Sequence, residues 1–160
     1  MKSLLLAALL SLTGLAQAAD PATVPAVAYD ESANAKEDLK KALVAARADQ
    51  RKVLLVFGAN WCPDCRVLDQ TLKSERNASL VAKEFAVVKV DIGRYDKNMD
   101  LSRAYGEPTK KGIPAVVVLS PDNEVLYATK AGELANTRKM SEEGVYGFFR
   151  DMAAQAQAKK

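Results

Sequence analysis

No histidine occurs in this chain of 160 residues, and cysteine occurs only twice. A structural zinc site draws four ligands from those residue types, so this chain cannot build one. A single cysteine pair also excludes a disulfide-stapled scaffold, and the fold must come from burial. Excess charge is scarce as well: 23 Lys and Arg stand against 20 Asp and Glu, a formal net charge of +3. Without a concentrated basic face, that excess argues against nucleic-acid binding. Beyond Leu15 no stretch is long and apolar enough to cross a bilayer.

The two cysteines lie three positions apart in Trp61-Cys62-Pro63-Asp64-Cys65, directly after the apolar run Val53–Phe57 and Gly58. A pair so placed suits reversible disulfide exchange, in which one thiolate attacks and the second resolves the mixed disulfide. A structural bridge is the weaker reading, because closing so short a loop constrains the unfolded chain little. A two-cysteine metal site is the other alternative, and copper would want the histidine or methionine cluster that is missing here.

Met1-Lys2, the apolar run Leu4–Leu15 and Ala16-Gln17-Ala18 have the order of a secretory signal peptide. The expectation is cleavage after Ala18, a product in the periplasm or secreted, and no stable membrane insertion afterwards. Without Lys2 the net charge is +2, and residues 19–160 suffice for one domain. Residues 19–34 read as an N-terminal leader, rich in proline and alanine, that could add an edge strand. Residues 35–160 read as the folded domain.

Helical spacing of Leu39, Ala42, Leu43 and Ala46 predicts a first helix over about 32–48. Val53–Phe57 reads as a strand covered on both faces. A helix follows the cysteines through Val67, Leu68 and Leu72. Asn77 is the expected N-cap of a second piece through Phe85, and Asn77-Ala78-Ser79 also matches a glycosylation acceptor. Ala86–Asp91 is the next strand, and Met99–Tyr105 gives one or two helical turns. Ala115–Leu119 is a third strand, paired antiparallel with 124–129 across the turn Pro121-Asp122-Asn123. A last helix runs from Ser141, its cap, to about Ala158. This order implies an α/β fold with a central mixed sheet flanked by helices.

In sequence, Phe57-Gly58-Ala59-Asn60-Trp61-Cys62-Pro63-Asp64-Cys65, Lys89-Val90-Asp91, Gly112-Ile113-Pro114 and Gly132 resemble the thioredoxin superfamily over most of residues 35–155, in the form of exported, periplasmic-type members. The resemblance implies a thioredoxin-like fold and a protein-disulfide reductase working through a Cys62/Cys65 dithiol–disulfide cycle, without a cofactor or metal. Its partners would be protein thiols and disulfides, together with a separate electron donor, expected to be membrane-borne. A disulfide oxidase or isomerase is the alternative, as is a non-catalytic chaperone or metal-handling protein. Cys62, at a helix start, is expected to attack and Cys65, one turn inside, to resolve. Trp61 would pack against substrate. Pro114, after a cis bond to Ile113 in the family, would leave the Ile113 backbone to pair with an extended substrate. Pro63, Asp64 and Lys89 are the candidate tuning residues. Thioredoxins usually carry a buried aspartate six residues before the first cysteine, and Val56 stands there in this chain. Lys89, lacking that partner, is expected to reach solvent or pair with Asp91.

Overall fold

The computed structural model of the chain describes residues 27–158. The expected signal peptide and most of the leader lie outside the described residues. The described part of the leader, residues 27–34, forms bends and turns and adds no strand.

The frame of the domain is a four-stranded mixed sheet in the order β2-β1-β3-β4. Strand β1 (Lys52–Gly58) lies at its centre and is buried along its whole length. It pairs in parallel with β2 (Phe85–Asp91), Val56 opposite Lys89 and Gly58 opposite Asp91. On its other side it pairs antiparallel with β3 (Ala115–Leu119), which pairs antiparallel with β4 (Val125–Ala128). Both neighbours of β1 hide its backbone and helices cover both its faces, so its sequence needs no polar alternation. Lys52 is the exception, and its ammonium meets Glu84 at 3.3 Å.

Alternation along the strands divides the interior in two. Val53, Leu55, Phe57, Val88, Val90, Val117 and Leu119 pack with Leu39 and Ala46 of α1 (Ala35–Asp49). Leu54, Val56, Val116 and Val118 pack on the opposite face with Leu68 of α2 (Pro63–Leu72) and with Val145, Phe149 and Met152 of α5 (Glu142–Gln157). The caps of α1 and α5 follow from the sequence: Asn34 accepts the Glu37 amide and Ser141 accepts the Gly144 amide.

The second helical piece, α3 (Glu75–Glu84), starts earlier than Asn77 predicts. Ser74 takes the N-cap position, and Asn77 is buried three residues in, its Nδ2 donating to Ser74 Oγ at 3.2 Å. Buried there, Asn77 offers no acceptor for a glycan. α4 (Met99–Ala104) is the short helix expected after β2. Two 3-10 turns, Pro108–Lys111 and Thr137–Lys139, join the loops on either side of the β3–β4 pair.

Candidate active site

The cysteine motif leaves the sheet at the carboxyl end of β1. Ala59 and Asn60 turn the chain, the Cys62 amide donates to the Ala59 carbonyl at 3.2 Å, and Pro63 opens α2 where its missing N–H is no loss. Cys62 is the N-cap itself: its Sγ accepts the Cys65 amide at 3.2 Å. The two cysteines form a disulfide with Cα atoms 5.3 Å apart. Cys62 retains 4% exposure and Cys65 none. Of the two sulfurs, Cys62's thus meets both the surface and the free N–H groups of the helix start, which stabilise negative charge.

Across from the disulfide, the Ile113-Pro114 bond is cis, as the family resemblance implies. The Ile113 carbonyl oxygen lies 3.6 Å from Cys62 Sγ. Trp61 is 46% exposed beside them. Its indole Nε1 donates to the Gly93 carbonyl at 2.7 Å, and Tyr95 packs tilted against it with ring centroids 6.4 Å apart. Cys62, Cys65, Trp61, Ile113 and Pro114 are therefore brought together. Tyr95 joins Trp61 as an exposed aromatic that no sequence period marked. A groove runs from Tyr95 along Met99, Arg103, Lys110 and Gly112.

The expected tuning residues have partners the sequence did not name. Asp64 is buried against the second 3-10 turn, where its carboxylate accepts the Arg138 backbone N–H at 2.9 Å and Arg138 Nε at 3.2 Å. A cation thus offsets the carboxylate one residue before Cys65. Lys89 neither runs free to solvent nor pairs with Asp91. Its ammonium binds Asp69 Oδ1 and donates to the Ala28 carbonyl at 2.8 Å. Asp69 lies one turn beyond Cys65 on α2, is 4% exposed, and is also held by Lys73 at 2.8 Å. With Val56 opposite Lys89 in the sheet, the counter-ion comes from the helix above. Partial burial pulls the Lys89 ammonium below its ordinary pKa. Asp91 lies 3.4 Å from Lys97 instead.

The leader supplies one more residue to this region. Asn60 holds it: its Oδ1 accepts the amides of Ala28 and Tyr29, each at 2.8 Å, and its Nδ2 donates to the Tyr29 carbonyl at 2.9 Å. Tyr29 is thereby fixed at 2% exposure. Its ring lies 5.5 Å from the Lys89 ammonium. The tripartite hold of Asn60 on the leader was invisible in sequence because it spans about thirty residues without a motif. Among the described residues, no group of three or more Asp, Glu, Cys or His side chains is placed to hold a metal ion.

A disulfide across a C-x-x-C turn, at the start of a helix and facing a cis-proline, defines a thioredoxin-fold protein. The chain belongs to the thioredoxin-like family, whose sequence profile matches residues 34–121. It is similar to a disulphide isomerase from Xylella fastidiosa Temecula1, with 52% identity, a TM-score of 0.77, and coverage of 82% of this chain and 98% of that one. A thioredoxin from Thermus thermophilus shares the fold at 20% identity and a TM-score of 0.56, over 75% of this chain and 87% of that one. Mouse nucleoredoxin is 26% identical over 118 residues, which are 60% of this chain and 26% of that protein. The chain thus spans about a quarter of that curated relative's length.

Proposed function

We propose that this protein is an exported thiol–disulfide oxidoreductase that reduces protein disulfides through Cys62 and Cys65. The observation that carries the reading is the position of Cys62 Sγ, at the helix start and facing the Ile113 carbonyl. In that cycle the Cys62 thiolate attacks a substrate disulfide, the Cys65 thiolate then attacks Cys62 Sγ, and substrate leaves as a dithiol. Trp61 and Tyr95 would take substrate side chains, and the Ile113 backbone would pair with its extended chain. Export rests on the order of residues 1–18. Among the described residues no helix is long and apolar enough to cross a membrane. A separate, membrane-borne donor would return electrons to Cys62–Cys65. An isomerase is the second reading, favoured by the 52% identity to the Xylella protein.

Reduction of insulin with dithiothreitol as electron source tests the activity. Turbidity should develop faster than with dithiothreitol alone, and an equal rate would remove the enzyme reading. Equilibration with a glutathione series tests direction. We expect a midpoint nearer the thioredoxin value of about −270 mV than the −120 mV of a strong oxidase. A midpoint above about −150 mV would shift the reading to oxidase or isomerase. Asp64→His removes a carboxylate that opposes the thiolate and frees the Arg138 cation. The midpoint should rise by roughly 30 mV for each 1.4 kcal/mol of repulsion removed. An unchanged midpoint would reduce Asp64 to a helix-start residue.

A further inference from the structure

Resolution requires Cys65 to give up its thiol proton in a place that water does not reach, and the position from which thioredoxins supply a carboxylate is Val56. Gly58 shows what replaces it. A Cβ added there would overlap the Tyr29 hydroxyl and come within 3.0 Å of Cys65 Sγ, so both groups crowd one point over a residue with no side chain. Asp91 is the register partner of Gly58 on β2, and in a parallel pair its side chain leaves the sheet on that same face. The Asp91 carboxylate is buried and half engaged. Oδ1 accepts the Gly93 amide at 3.2 Å, whereas Oδ2 is buried without a hydrogen-bond donor among the described residues. The Lys97 ammonium, 3.4 Å from Oδ2, is at ion-pair distance but not aligned to donate.

We propose that the Tyr29 hydroxyl is a proton relay between Cys65 and the Asp91 carboxylate. The proposal rests on the exchange cycle given above. As Cys65 Sγ attacks Cys62 Sγ, its proton passes to the Tyr29 oxygen while the Tyr29 hydroxyl, which does not donate to Asp91 in the disulfide form, closes on Oδ2 and delivers its proton there. The Cys62–Cys65 bond forms, the bond from Cys62 to the substrate sulfur breaks, and the electron pair leaves on the substrate thiolate. Sulfur exchanges with sulfur, so no outside oxidant is needed. Asp91 returns the proton to solvent at the Lys97 side, and the reverse sequence reprotonates Cys65 when the disulfide is reduced.

The other charged groups of this region are engaged elsewhere. Asp69 on α2 is held by Lys73 and Lys89. Lys89 on β2 lies over the Tyr29 ring and donates to Asp69 and the Ala28 carbonyl, not toward Gly58. Burial and the nearby Asp91 charge push the Tyr29 hydroxyl well above its ordinary pKa. It therefore stays protonated across the working range, as a relay that both accepts and donates must.

Tyr29→Phe keeps the ring and its packing and removes only the hydroxyl. Reduced protein is mixed with Ellman's reagent, which releases one thionitrobenzoate when Cys62 attacks and a second when Cys65 resolves. The first release should match the unaltered protein. The second should slow by about a hundredfold, the low end for positioned proton transfer, and reach half its limiting rate at higher pH. Asp91→Asn, which keeps shape and removes the acceptor charge, should slow the second release alone in the same way. An unchanged second release in either variant overturns the relay. So does equal slowing of both releases, which would mark Tyr29 as packing only. Absence of any first release from the unaltered protein would instead bring down the exchange cycle itself.

Discussion

Cys62→Ser is expected to lower disulfide exchange by at least about a thousandfold, because no second nucleophile can take over the first step. Cys65 sits fully buried behind it and cannot meet a protein disulfide. The companion variant Cys65→Ser should retain attack but lose resolution, and so accumulate a covalent complex with substrate that reducing agent releases. Limiting alkylation of the reduced unaltered protein should modify Cys62 before Cys65. Preferential modification of Cys65, or substrate trapped by Cys62→Ser, would reverse the assignment of the two sulfurs. The proteins trapped by Cys65→Ser would also name the substrates.

The second large effect is on stability. Phe149→Ala is expected to cost about 3–5 kcal/mol, the usual loss for a fully buried aromatic ring. Phe149 has no exposure, lies among Leu54, Val116 and Val118 on the inner face of the sheet, and meets the Phe148 ring edge-on at 5.3 Å. Against a total of about 5–15 kcal/mol for a domain of this kind, that loss removes a large share of the margin. Urea unfolding should show a lower midpoint with an unchanged slope. A loss under about 1 kcal/mol would mean that α5 is not what closes this half of the core.

What could be read from the sequence follows the range of the interactions involved. Val53–Phe57 announces itself as a doubly covered strand because seven consecutive positions of β1 are buried, and burial writes directly into composition. The C-x-x-C turn and the Ile-Pro before β3 are local patterns, and they lead to the disulfide and the cis bond. Asn77 misled because its amide does serve a helix start, but as the third residue reaching back to Ser74 rather than as the cap. Partnerships across the fold left no local trace. Asp64 finds Arg138 seventy-four positions away, and Lys89 finds Asp69 twenty positions back on another element. Helical arithmetic contained a hint of the second: Asp69 falls four residues after Cys65, on the same helix face. The role of Asn60 had no such hint.

The grip of Asn60 on Tyr29 also bears on where this domain can be cut. The family profile begins at residue 34, so a fragment started there and run on through α5 would keep every cysteine, proline and strand of the site. It would lack the tyrosine that covers the inner sulfur and the main-chain oxygen of Ala28 that Lys89 holds. Such a fragment would have a wet cleft behind Cys65, where solvent rather than a buried hydroxyl would meet the thiol. A boundary drawn by similarity and a boundary drawn by chemistry differ here by at least six residues, 28 to 33.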